Sequence, residues 1–114
     1  MSKHKFEFIT LIAKGNYYWE YESLQEFKEQ EGEEELRNII GYFPIKSNVT
    51  YDELNNYGNN SNWVVCFDDA NNGGQVVKTF NSLLNLKLEL DELIERSYRN
   101  EYINIYNAND FVYL

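Results

Sequence analysis

Residues 5–26 read KFEFITLIAKGNYYWEYESLQE, and how this stretch is read decides the fold. Residues 5–13 are rich in β-branched and aromatic side chains. Lys14-Gly15-Asn16 is a turn, and Tyr17-Tyr18-Trp19-Glu20-Tyr21 is a second run of strand formers, so the pattern predicts a β-hairpin over residues 5–22. Ser23 then has the chemistry of a helix N-cap. Glu26, three residues later, completes a capping box, and Leu24 and Phe27 supply a short apolar face. A hairpin leading straight into a capped helix points to an α+β chain with an antiparallel-type sheet and several short helices packed on it.

Working outward, Gly32 interrupts that helix, and a second is expected over residues 33–40, with Leu36, Ile39 and Ile40 inward and Gly41 and Pro44 as stop signals. Thr50 and Glu53 form another capping box, with Val49 and Leu54 placed as a hydrophobic staple, so a short helix ending near Gly58 is expected. Residues 63–67, WVVCF, are apolar on both alternating faces, which predicts an interior strand covered on two sides. Val76, Val77, Phe80, Leu83 and Leu84 fall at helical spacing, so residues 75–80 are read as helix, a hairpin strand after Asn-Gly being the alternative. Leu86, Leu88 and Leu90 alternate and read as extended. Asp91 then caps a helix to about Asn100 with Leu93, Ile94 and Tyr98 inward, and residues 102–106 and 111–114 read as terminal strands about the turn at residues 107–110.

The chain has 114 residues, the size of a single domain, so residues 1–114 are expected to form one unit. With 43% hydrophobic and 17% aromatic residues it has the material for a core. The apolar run at residues 8–13 is shorter than the ~7–15 residues of a secretory h-region, and no small-residue cleavage site follows it. No stretch approaches the ~20 apolar residues of a membrane span. The expectation is therefore a soluble, cytoplasmic protein with no membrane association, lying in the host cytoplasm if phage-encoded.

Charge is the most informative property. Asp and Glu number 19 against 10 Lys and Arg, a formal net charge of −9. The abundance of Asn (16) and Tyr (10) is what AT-rich codons produce, but the same bias would raise Lys over Glu, and the chain has 14 Glu and 7 Lys. The acidity is also local: residues 19–40 hold Glu20, Glu22, Glu26, Glu29, Glu31, Glu33, Glu34 and Glu35 against Lys28 and Arg37, a net −6 in 22 residues. If one helix ran through Gly32, Glu22, Glu26, Glu29 and Glu33 would form a continuous stripe, with neighbours about 5–6 Å apart. Like charges at that spacing destabilise a helix, so folding gives no reason for them. A row of carboxylates on a rigid rod does resemble the phosphates of a nucleic-acid strand, whose charges advance about 3.4 Å per nucleotide along the axis. Tyr17, Tyr18, Trp19 and Tyr21 adjoin the acidic stretch, and such residues are favoured interface anchors.

Candidates for chemistry are sparse. His4 is the single histidine and sits near the N-terminus between lysines. Cys66, the single cysteine, excludes an internal disulfide and reads as a packed strand residue. Asp68 and Asp69, followed by Asn71-Asn72-Gly73-Gly74, could offer hard oxygen ligands to a divalent cation, but the spacing matches no metal-loop motif. No cofactor and no catalytic residue is assigned.

The expected function is therefore that of an acidic protein-binding inhibitor, not an enzyme. Tyr18, Trp19, Glu20, Tyr21, Glu22, Glu26, Glu29, Glu31, Glu33, Glu34 and Glu35 would occupy the basic nucleic-acid-binding surface of a nuclease or similar protein, in the manner of phage anti-defence and anti-CRISPR proteins. The partner is expected to be a basic protein and not nucleic acid itself, which a net charge of −9 would repel. Alternatives are an immunity protein or antitoxin neutralising a basic toxin, a small metal- or ligand-binding enzyme domain using Asp68 and Asp69, and a subunit whose acidic face serves solubility alone.

Overall fold

The structure, a computed structural model, describes residues 7–70, 74–97 and 103–114. The hairpin forms as expected: β1 (Ile9–Ala13) pairs antiparallel with β2 (Tyr17–Tyr21), with Leu11 opposite Trp19. Gly15 (φ 93°) and Asn16 (φ 64°) turn the chain between them, left-handed conformations that glycine and asparagine tolerate best. Helix α1 (Leu24–Glu31) starts at Ser23, whose Oγ accepts the Glu26 N–H at 3.1 Å. The Glu26 carboxylate reaches back one residue further than a standard capping box, accepting from the Glu22 N–H at 3.1 Å.

Among the described residues the strands form two antiparallel sheets, so the single sheet expected from the sequence is in fact a pair. The first has the order β2-β1-β3-β7, with β3 at Ile39–Phe43 and β7 at Val112–Tyr113. The second has the order β5-β4-β6, with β4 at Trp63–Asp69, β5 at Gly74–Phe80 and β6 at Ile103–Asn107. Strand alternation sends Ile9, Leu11 and Ala13 of β1 to one side, where Phe27 of α1 covers them, and Ile12 to the other. Ile12, Tyr18 and Phe43 meet Cys66, Val77 and Tyr106 of the second sheet in a middle layer, where the Thr10 and Tyr106 hydroxyls hydrogen-bond at 2.6 Å. On the far side Trp63, Val65, Phe67 and Ile105 pack under helix α3 (Leu83–Arg96). The layers are thus helix, sheet, sheet, helix, an α+β domain. β4 is the interior strand expected for residues 63–67.

Several expectations about element type and extent are corrected. Helix α2 spans Glu33–Leu36, and residues 39–43, whose first two isoleucines looked helical beside Leu36, are strand β3. Pairing places Ile12 opposite Gly41 but Ala13 opposite Ile39, so Ile40 is the extra residue of a β-bulge. The bulge turns Ile39 to the α1 side and Phe43 to the middle layer. Gly41, expected as a helix stop, also belongs to β3, and only glycine fits there, since a Cβ would run into the Val112 carbonyl oxygen and lie 2.6 Å from the Phe111 ring. Residues 75–80 are β5, not helix, with Val77 paired to Cys66 and Val76 to Phe67. Leu86, Leu88 and Leu90 lie in α3, which starts at the Ser82 cap rather than at Asp91: Leu83, Leu86, Leu90 and Leu93 are buried, while Leu88 is 72% exposed. The Thr50 cap forms as read, Glu53 N–H to Thr50 Oγ1 at 3.3 Å, but the turn it starts is a 3-10 helix at Asp52–Asn56. The helix ends at Arg96, with Ser97 already extended, rather than near Asn100, and Tyr98 and Tyr102 lie outside the described residues.

Candidate protein-binding face

On β2, Tyr17, Trp19 and Tyr21 share the face that meets α1. Trp19 and Tyr21 pack edge-on against Phe27, with ring centroids 5.8 and 5.4 Å away. Tyr17 stands 6.3 Å from Trp19, also edge-on, so the three rings form a continuous row beside the helix. The hydroxyls at the two ends of this row donate to the acidic segment. Tyr21 Oη–H donates to Glu31 Oε2, and Tyr17 Oη–H donates to Glu35 Oε1 at 2.7 Å. The bond to Glu31, with partial burial, pushes the Tyr21 hydroxyl pKa up to about 12, and the bond to Glu35 raises that of Tyr17. Both effects arise because ionising the phenol would remove a donor and set two negative charges side by side.

The glutamates do not form a single stripe. Gly32, at φ 92°, ends α1 and redirects the chain into α2, so Glu22, Glu26 and Glu29 lie before the break and Glu33 after it. Several have local partners: Glu26 caps the Glu22 N–H, Gln25 Nε2 donates to Glu29 Oε1 at 3.0 Å, and Lys28 Nζ lies 3.1 Å from Glu33 Oε1. The Lys28–Glu33 pair is well exposed, and such pairs contribute at most about 1 kcal/mol. Glu29, Glu33 and Glu34 are exposed, and Glu26, Glu31 and Glu35 are half-buried. Together they give a patch of carboxylates curving over two helices, two of them pinned by tyrosines.

The remaining residues of the expected contact set sit differently. Tyr18, at 2% exposure, points into the middle layer, where burial raises its pKa, and it therefore leaves the contact set. Its neighbours on the strand alternate to the α1 face, while Glu20 follows Tyr18 to the other side, and its charge adds to the raised pKa of Tyr18, Cys66 and Tyr106. Glu22 is half-buried at the strand-to-helix junction. Tyr17, left out of the expected contact set, belongs to the same aromatic row. It shares strand parity with Trp19 and Tyr21, which was visible in the sequence, but its pairing with Glu35, 18 positions away, was not.

The candidate metal ligands are separated. Asp69 is fully buried and bonded to Arg96 Nη2 at 2.6 Å, with the guanidinium 5.7 Å above the Phe67 ring. Asp68, the next residue of β4, is half-buried on the opposite face. The two carboxylates therefore do not converge on one ion, and Asp69 already has a cation. Among the described residues no group of three or more His, Cys, Asp or Glu could hold a metal. Residues 71–73 and His4 lie outside the described residues. Cys66 is buried, and desolvation pushes its thiol pKa up, away from the thiolate that nucleophilic chemistry needs. Among the described residues no helix is long and apolar enough to cross a membrane. No protein-family model, curated protein or solved structure matches the chain.

Proposed function

We propose that the chain is a protein-binding inhibitor whose face from Tyr17 to Glu35 occupies the basic nucleic-acid-binding surface of a partner. The observation that carries this reading is the pinning of Glu31 and Glu35 by Tyr21 and Tyr17, beside the exposed Glu29, Glu33 and Glu34. Carboxylates held in place before contact lose less conformational entropy on binding than freely rotating ones. The row of half-buried Tyr17, Trp19 and Tyr21 adds rigid rings against which arginine side chains of a partner can stack. A focused negative field also speeds encounter with a basic surface, by about 10–1,000-fold at low salt. Restriction and CRISPR nucleases present the basic channels this chemistry fits, which is the role of a phage anti-defence protein.

The test is a panel of purified basic nucleases screened for binding by interferometry, with and without duplex DNA as competitor. The expected result is a partner whose complex weakens from about 50 to 500 mM salt and is displaced by DNA. In that complex the triple variant Glu29→Gln, Glu33→Gln, Glu34→Gln should associate at least ten-fold more slowly with its melting temperature retained. An unchanged association rate would remove the acidic face from the mechanism. A complex formed equally well with the nucleic-acid channel filled would favour toxin neutralisation at another surface.

A further inference from the structure

An open strand edge is a row of unpaired backbone groups, and folded chains keep such edges from joining other chains by covering or charging them. Among the described residues the two sheets end in β2, β7, β5 and β6. Along β6 the Val49 N–H donates to the Ile105 C=O at 2.7 Å, and at the middle of β5 the Val77 N–H donates to the Asn16 C=O at 3.0 Å. β2 carries the carboxylate of Glu20 at mid-strand. Among the described residues β7 has no such cover and no acidic or basic side chain. Val112, Tyr113 and Leu114 are instead 37, 78 and 58% exposed, and Ile40, whose C=O takes the Leu114 N–H, is 39% exposed. An apolar edge left open in this way is a surface for pairing.

The backbone of β7 identifies the occupant. The Leu114 N–H is bonded to β3, so by strand alternation Val112 also turns its backbone groups toward β3, and the N–H and C=O of Tyr113 point away from the sheet. Two antiparallel residues that face each other exchange both of their N–H···O bonds, so a second copy of Tyr113, related by a two-fold axis, satisfies this donor and this acceptor together. The same register sets ring against ring at position 113 and Leu114 opposite Val112 of the second copy, so each apolar side chain meets an apolar one. The Tyr113 ring is already oriented for this: it packs edge-on against Phe111 at 4.8 Å, and Phe111 lies 5.0 Å from the buried Phe43. A contact without charged side chains is also where two chains of net charge −9 can touch. We propose that the chain forms a symmetric dimer through β7, with Tyr113 facing its counterpart across the two-fold axis and the two four-stranded sheets joined into one. The axis is perpendicular to the sheet, so both α1 layers lie on the same side and their acidic faces point the same way. The dimer stands independently of the inhibitor reading, to which it would add a doubled acidic surface.

The experiment is sedimentation equilibrium of the full chain alone, from about 10 µM to about 1 mM, the range in which so small a contact associates. The expected result is a shift from monomer to dimer mass that strengthens toward about 500 mM salt, because salt screens the repulsion between two acidic chains. Tyr113→Glu and Tyr113→Lys change an exposed position and should keep the melting temperature, but each sets like charges face to face and should weaken the dimer at least ten-fold. Mixed in equal amounts, the two variants should associate at least five-fold more tightly than either alone, since Glu then faces Lys. Both remain strongly acidic overall, so long-range attraction cannot produce that recovery. In the wild-type chain, exchange of the Tyr113 amide should slow as concentration rises, a readout that requires no variant. The proposal is overturned by a chain that stays monomeric at about 1 mM in high salt, by a dimer that both folded variants retain, by a mixture no tighter than its components, or by Tyr113 exchange that is independent of concentration.

Discussion

The two outer helices cover their sheets by different means. Helix α3 buries Leu83, Leu86, Leu90 and Leu93 against Trp63, Val65 and Phe67, and each such side chain contributes about 1.5–3 kcal/mol relative to exposure. Helix α1 buries Phe27, and around it the contacts are aromatic edges and tyrosine-to-glutamate hydrogen bonds. The apolar layer leaves little freedom in the identity of its residues. The polar one leaves most of α1 and α2 outside the core, which is where the chain concentrates its negative charge. The acidic face thus sits on the less strongly anchored layer, and Glu31 and Glu35 both display charge and hold the layer in place.

The largest expected effect lies at the end of the α3 layer. Arg96→Met keeps the bulk of the side chain but leaves Asp69, whose side chain is fully buried, without its 2.6 Å partner. The expected loss is about 3–5 kcal/mol in urea unfolding, as for other buried charges stripped of a partner. A loss under about 1 kcal/mol would show that the bond to Arg96 does not anchor this end of α3. Next comes Leu90→Ala, 1% exposed in the native chain, with an expected loss of about 2–5 kcal/mol. If that cost is no greater than that of a helix cap, the contrast between the layers is wrong.

The caps allow a direct comparison because they are chemically the same. Ser23 and Ser82 each accept an N–H from the residue three positions on, at 3.1 Å in both cases. Replacing either by alanine should cost about 1 kcal/mol locally. In α1, with one buried anchor, that loss should appear as faster amide exchange confined to residues 24–31. In α3 it should lower the free energy of global unfolding, because that helix opens together with the core. Identical exchange behaviour in the two variants would mean that the layers unfold as one unit.

The same contrast explains what was legible in the sequence. Local signals read correctly: the hairpin, seen over Ile9–Tyr21, the Ser23 and Thr50 caps and the helix break at Gly32 depend on neighbours within a few residues. Tertiary context overrode the rest. Leu36, Ile39 and Ile40 have helical spacing, but a bulge at Ile40 lets the isoleucines serve in β3. Leu86, Leu88 and Leu90 alternate like a strand because Leu88 is an exposed leucine on a helix, so its apolar character carries no information about burial. For the candidate site, counting charge by segment pointed to residues 20–35, since composition is visible without a fold, although Glu20 turns to the other face of β2 and the patch runs from Glu26 to Glu35. Its geometry was hidden, because the Tyr17–Glu35 and Tyr21–Glu31 bonds join a strand to helices 18 and 10 positions away.

The smallest effect tests those bonds. Tyr21→Phe removes the hydroxyl and keeps the ring on Phe27, so the loss is that of a half-buried hydrogen bond, about 0.5–1.5 kcal/mol near neutral pH. Its pH dependence separates it from a packing effect. The folded chain holds the Tyr21 proton up to a pKa of about 12, against 10.0 for a free tyrosine, so above pH 10 the unfolded chain loses this proton first. Fewer protons bound in the unfolded state means that stability falls as pH rises. The contribution of Tyr21 is therefore fully present below pH 10 and is lost between pH 10 and 12. The wild-type chain should lose stability over that window more steeply than the Tyr21→Phe variant, with Tyr18 and Tyr106 adding a common slope to both, since burial raises their pKa as well. Two parallel curves would mean that the Tyr21 hydroxyl does not bind Glu31 in solution, and that the layer bearing the acidic face is held by its rings alone.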